Sequence, residues 1–263
     1  MRIMKIEHLV ATTNMEDFKL YSDLNLKTSA IIANQNGKNE FKKKINNNSI
    51  IKIISTDTKG VGKNRNLALM FADSDICILS DDDTKYEDNY LNIVQEAFKL
   101  LPEADVIIFN IKTIGDSNEL IHRRINKKIK KINSLNFMNY GAARIAFKLK
   151  AIRNKNIWFS AMFGGGSKYS SGEDTLFLAD CLRKKMKIYA YPKFIATVRQ
   201  ETSTWFRGYN EKFFYDKGAL LSQIRPKTKY LFTLFYFPFR FKCKLSYLKK
   251  VRLMCAGIRE YNL

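Results

Sequence analysis

Three adjacent carboxylates, Asp81, Asp82 and Asp83, follow directly on the apolar run Ile76-Cys77-Ile78-Leu79-Ser80. The run has the length of one buried strand, so the strand would deliver the acids at its C-terminal end, where open α/β sheets take their ligands. Carboxylates this close repel one another and call for a cation. A hard divalent ion that bridges substrate phosphates suits such a cluster. In that chemistry Asp81 contacts a ribose or the metal, and Asp83 coordinates Mn²⁺ or Mg²⁺ on a nucleotide diphosphate, neutralising charge on the leaving group. The alternative is a solvated loop or the lead into a helix before Asn89.

Two glycine-bearing segments offer further chemistry. In Gly60-Val61-Gly62-Lys63-Asn64-Arg65, glycines before a helix start present backbone N–H groups to an anion, with Lys63 and Arg65 adding charge. A Walker-type phosphate loop is excluded, because Asp57 stands at its leading glycine and Asn64 at its Ser/Thr position. Farther on, Gly164-Gly165-Gly166-Ser167 through Gly172 runs into Glu173-Asp174. Either the two acids suit the positive end of a helix, or a mobile loop presents Asp174 as general base to an acceptor hydroxyl.

The elements that must position these groups alternate. Strands are expected at 6–12, 28–33, 50–55, 77–80, 105–110 and 187–191, the last ending at Pro192; helices are expected at 15–24, 62–72, 89–101 and 174–184. This βαβα rhythm predicts an α/β fold with a mostly parallel central sheet and helices on both faces. The turn signal Asn34-Gln35-Asn36-Gly37 closes the second strand.

The ordered set Asn34-Gln35, Gly60 to Ala68, Leu79-Ser80-Asp81-Asp82-Asp83 and Gly172-Glu173-Asp174 resembles the family-two inverting glycosyltransferases of the Rossmann-like GT-A fold. The aspartates match that family's DxD motif and Glu173-Asp174 its ED motif. The segment 202–210 resembles members from bacterial surface-polysaccharide clusters. The resemblance implies that Asn34 and Gln35 contact the nucleoside base. Lys63, Arg65, Asp81 and Asp82 would serve the nucleotide-sugar, and Asp83 with Asp81 the Mn²⁺ or Mg²⁺. Asp174 would deprotonate the acceptor, oriented by Glu173, beside an acceptor site formed by Gly165, Gly166 and Trp205. The implied donor is a nucleotide-diphosphate sugar, a UDP-sugar foremost. Processive relatives carry Gln-x-x-Arg-Trp, but here Gln200 leads through Glu201-Thr202-Ser203-Thr204 to Trp205, which argues for transfer of a single sugar. A late histidine ligand is also missing: His8 and His122 are the only histidines, so either Gln200 or Glu201 substitutes or there is no third ligand.

Composition frames these assignments. The chain has 263 residues, 46% hydrophobic, with a formal charge of +21. No acidic residue lies between Glu119 and Glu173, and after Asp216 only Glu260 does. Such one-sided blocks favour an anionic partner. From Lys227 the chain turns aromatic and basic (Tyr230 to Phe241), either an interface with an anionic leaflet or a helical tail packed on the body. The expected division is residues 1–222 as catalytic domain and 223–263 as a basic aromatic extension. No membrane span, signal peptide or CxxC pair is found, which places the expected protein in the cytoplasm with reduced thiols, peripheral on the inner membrane face. The expected acceptor is a lipid-diphosphate-linked glycan. A nucleic-acid-binding protein would leave the acid cluster unexplained. A sugar nucleotidyltransferase would want a glycine-rich loop where Ala11-Thr12-Thr13-Asn14 stands, and a DxDxT phosphatase would want Thr where Lys85 stands.

Overall fold

Strands rich in Ile, Val and Leu that are buried on both faces need helices above and below them. A computed structural model describes residues 4–115, 125–199, 208–241 and 243–261. In chain order the elements are β1 (Ile6–Thr13), α1 (Lys19–Asp23), β2 (Ser29–Gln35), β3 (Glu40–Asn46), β4 (Ser49–Thr56), α2 (Val61–Phe71), β5 (Ile76–Asp81) and β6 (Thr84–Tyr86). There follow α3 (Tyr90–Leu100), β7 (Val106–Ile114), β8 (Lys130–Lys131), β9 (Ile145–Lys148), α4 (Leu149–Asn154), α5 (Glu173–Arg183) and β10 (Ile188–Arg199). The chain then becomes helical: α6 (Glu211–Ile224), α7 (Lys229–Phe235), α8 (Phe237–Arg240) and α9 (Tyr247–Tyr261).

One sheet of order β3-β4-β2-β1-β5-β9-β7-β10-β6 runs through the molecule. The ladders β4-β2, β2-β1, β1-β5 and β7-β10 are parallel, while β9 inserts antiparallel between β5 and β7. Alternation along each strand separates two cores. Leu9, Ile31 and Leu79 pack beneath Leu69 of α2 and Phe177 of α5; Val10, Ile32 and Ile78 pack against Leu20 of α1 and Val94 of α3. This is the GT-A arrangement.

Two features depart from the expected elements. β3 forms an antiparallel hairpin with β4, turning at Asn47 (φ 52°), although every residue of β3 is exposed. Its lysines shield an edge strand, which is why the apolar pattern predicts no strand there. β10 also does not stop at Pro192 but continues to Arg199. The pairing with β7 slips between Ala190 and Phe194, so the proline sits in an irregularity that asks no N–H of it.

The C-terminal helices pack on the body. A Cβ on Gly218 would lie 2.0 Å from the Met254 carbonyl oxygen, and one on Gly257 2.0 Å from that of Tyr215. Helices α6 and α9 therefore touch backbone to backbone, which only glycine at those two positions allows. Phe235 (71% exposed), Phe239 (69%) and Leu248 (75%) stay outside. No described helix is long and apolar enough to cross a membrane. Cys77, Cys181, Cys243 and Cys255 form no disulfide.

Candidate active site

β1 and β5 run in parallel register with Ala11 opposite Asp81, so both strands end at one place on the sheet. Alternation turns Ser80 inward, where it meets His8 Nδ1 (2.9 Å) and the Tyr86 hydroxyl (2.8 Å), and turns Asp81 outward. The Thr12 hydroxyl donates to Asp82 (2.7 Å) and Thr84 to Asp83 (3.3 Å). Burial, reinforced by Asp81 and Asp82, raises the Asp83 carboxyl to about 6. Burial likewise raises Asp82.

The start of α2 closes the other side. The Gln35 amide clamps Gly60, donating to its carbonyl (3.0 Å) and accepting from its N–H (3.2 Å), while Val61 N donates to the Gly165 carbonyl (2.9 Å). One turn in, buried Arg65 donates to Asp81 (2.7 Å) and to Glu173 (2.5 Å). Burial opposes its charge, but Asp81, Glu173 and Asp174 outweigh that and hold the guanidinium above its usual value. Arg65 thus fastens the acid-bearing strand end to the start of α5, where Glu173 stands 108 residues from Arg65 itself. Asn64, which sequence reasoning did not single out, donates to the Thr12 and Ala33 carbonyls (3.0 and 2.9 Å) and leaves its own buried Oδ1 without a described partner.

At the start of α5, Gly172 takes φ 120°, a left-handed conformation that turns the chain into the helix and splays the two acids that follow. Glu173 lines a cleft of about 440 Å³ together with Gln35, Arg65 and the aspartate triplet. Asp174 lines a neighbouring cavity of about 430 Å³ with Tyr140, Arg144, Lys217 and Arg240. Burial and the adjacent Glu173 raise the Asp174 carboxyl to about 6, although Arg65 and the Thr175 N–H pull the other way. Burial lowers the Lys217 ammonium, with Asp174, Glu173 and Asp216 opposing. The segment leading into α5, a mobile loop in one of the two readings of the sequence, is tied down: Ser170 donates through N (2.9 Å) and Oγ (2.5 Å) to buried Asp216 of α6, and Gly164 N donates to the Tyr169 carbonyl (2.8 Å).

Residues 29–161 match the family described as Glycosyl transferase family 2, just over half the chain. The chain belongs to that glycosyltransferase family. The match takes in Arg65 and the triplet and stops short of Glu173-Asp174. Among solved structures, S. aureus TarS 1-349 in complex with UDP-GlcNAc is similar in fold, with a TM-score of 0.62 at 16% identity over 99% of this chain and 73% of that one. The complex with UDP gives 0.58 at 15% identity, over 99% and 72% of the two chains. The larger S. aureus TarS chain gives 0.56 at 16%, over 98% of this chain and 43% of that one. No curated protein matches in sequence.

Within this glycosyltransferase, several expected site residues take other places. Asn34 is fully buried; its amide bonds Met15 N and O (3.0 and 2.6 Å) and Ser55 (3.0 Å), so it braces the loop after β1 and has no reach for a base. Lys63 is exposed on α2 and does not line the cleft. Gly165, expected on the acceptor side, lines the triplet's cleft, and Gly166 lies behind it near Gly60. Trp205, His122, Gln200 and Glu201 fall outside the described residues. His8 is a core residue, its ring pushed down to about 3 by burial.

A divalent metal fits the triplet only as a partner shared with substrate. Among the described residues no group of three His, Cys, Asp or Glu is arranged to hold an ion alone. Asp81 already gives Oδ1 to Arg65, and Asp83 has only the Thr84 hydroxyl and no described cation beside it. Asp83 and the free oxygen of Asp81 would hold the metal, and diphosphate oxygens would complete it.

Proposed function

We propose that this glycosyltransferase moves one sugar from a nucleotide-diphosphate sugar to a hydroxyl of a glycan acceptor, with inversion, in bacterial surface-polysaccharide synthesis. The observation that carries the proposal is the Arg65 clamp, which sets a cleft rich in carboxylates beside a separate cavity that holds Asp174. In this reading the diphosphate lies along Asp81, Asp82 and Asp83, with Gln35 and the start of α2 bordering the nucleoside. A bound Mn²⁺ or Mg²⁺ would supply Lewis-acid stabilisation of the departing diphosphate. The UDP-GlcNAc and UDP complexes of TarS favour a UDP-sugar.

Asp174 takes the proton of the acceptor hydroxyl, and a carboxyl raised to about 6 is the stronger base that work near neutral pH calls for. The hydroxyl oxygen then attacks the anomeric carbon opposite the leaving diphosphate, so no enzyme nucleophile is required. Glu173, held by Arg65 and accepting from Gly172 N (3.2 Å), fixes the start of α5 and hence the direction of Asp174. Residues 1–222 carry this chemistry, and 223–263 form a basic aromatic layer. The exposed Tyr230, Leu231, Phe235 and Phe239, set among lysines and arginines, support contact with the anionic inner face of the cell membrane, where a lipid-diphosphate-linked acceptor would be found.

The test is a panel of sugar nucleotides assayed by thermal shift and by NMR of the product anomer. At least one UDP-sugar should raise the melting temperature in the presence of Mn²⁺, lose that effect in EDTA, and give a product of inverted anomeric configuration. Retention of configuration, or polynucleotide binding with no response to any sugar nucleotide, would refute the proposal.

A further inference from the structure

We infer that the cavity holding Asp174 contains an anion subsite, built by Lys217 of α6 and Arg240 of α8, that takes a phosphate group carried by the acceptor. The inference rests on the reading of this cavity as the acceptor side. Three cationic side chains, Arg144, Lys217 and Arg240, line it against the single carboxylate of Asp174. The cavity therefore carries a surplus of positive charge in a partly desolvated space, where an anion is favoured.

The two cations are held in place by neutral groups. Arg240 Nη2 donates to Asn139 Oδ1 (3.0 Å), and the guanidinium lies 5.6 Å from the Tyr236 ring centre. Lys217 Nζ lies 5.2 Å from the Phe213 ring centre and only 3.4 Å from Ser171 Oγ, a long contact. Among the described residues neither forms an ion pair with a carboxylate. Arg240 comes from the C-terminal layer, where α8 brings it to the cavity, and Lys217 stands on α6, which is held to that layer by its glycine contact with α9. An ammonium and a guanidinium fork together suit a phosphate, which offers several acceptor oxygens to both. The phosphate could belong to a lipid carrier or to the glycan itself; the recognising chemistry is the same.

The experiment titrates glucose 6-phosphate, glucose and glucuronate into the protein by calorimetry, with and without saturating UDP and Mn²⁺. A short-chain isoprenyl diphosphate in detergent forms a second arm. Glucose 6-phosphate should bind with UDP present, and glucose and glucuronate should bind at least about tenfold more weakly, as the loss of a charged hydrogen bond implies. Lys217→Gln and Arg240→Gln should each weaken it by roughly tenfold, while Lys217→Arg and Arg240→Lys should retain most of it and report on folding. The single control Lys43→Gln on exposed β3, which removes the same one charge, should change nothing. Tighter binding of the isoprenyl diphosphate than of glucose 6-phosphate assigns the phosphate to a lipid carrier, and the reverse order assigns it to the glycan. Equal binding of glucose and its phosphate, or an equal loss in the β3 control, would overturn the inference. UDP binding, measured first, reports separately on the donor reading.

Discussion

The two cavities on either side of the start of α5 are almost equal in size, about 440 and 430 Å³, and opposite in charge. One is lined by Asp81, Asp82, Asp83 and Glu173 against Arg65; the other by Arg144, Lys217 and Arg240 against Asp174. The acid side comes from strand ends of the parallel half. The basic side is completed by Lys217 of α6 and by Arg240 of α8 in the C-terminal layer. A reaction that separates an activated diphosphate from an attacking hydroxyl needs this division: a place for a cation on one side, and a base whose charge is tuned by neighbouring cations on the other.

The contrast can be broken at its hinge. Arg65→Met would leave Glu173 buried without its partner and free the strand end from α5, at a cost of about 3–5 kcal/mol in urea unfolding. Arg65→Lys should lose less, because one contact survives. Asp174→Asn should lower kcat by about 10³-fold while leaving donor affinity unchanged. Its effect on stability has the opposite sign. A carboxyl raised from its usual value to about 6 holds its proton more tightly in the folded state, so this site weakens the fold as pH climbs from near 4 through 6. The asparagine variant should therefore melt no lower than wild type at pH 7.5.

In its proposed role as base the same group sets the pH dependence of rate. Since the base must be ionised, kcat/KM should be flat above about 6 and fall roughly tenfold per unit below it, a limb absent from the residual activity of Asp174→Asn. On the acid side, Asp83→Asn should weaken Mn²⁺-dependent donor binding by roughly tenfold and leave metal-free binding of the nucleoside unchanged, as measured by calorimetry with and without EDTA. The smallest effect belongs to the outer layer: Phe235→Ser with Phe239→Ser should release the protein from anionic liposomes, each exposed ring contributing on the order of 1–2 kcal/mol, with turnover on soluble substrates intact.

Much of this was legible in the chain. Apolar runs with βαβα spacing gave the sheet, and Ile76 to Asp83 marked where strand meets site, because both signals are local. What sequence could not supply was direction and distance. Asn34 and Gln35 are neighbours at one strand end, yet alternation sends the first inward to Ser55 and the second toward Gly60. Glu173 and Asp174 are neighbours too, and open into different cavities. Lys217 and Arg240 lay unremarked within a general excess of basic residues; only the fold of α6 and α8 brings them to Asp174. β3 was hidden by its lysines, since an exposed edge strand carries no apolar alternation to reveal it.

The most direct test of the account is a crystal structure of the Asp174→Asn protein with Mn²⁺ and an intact UDP-sugar. The account predicts the diphosphate along Asp81, Asp82 and Asp83, with the anomeric carbon turned toward residue 174. A diphosphate seated instead among Arg144, Lys217 and Arg240 would contradict it.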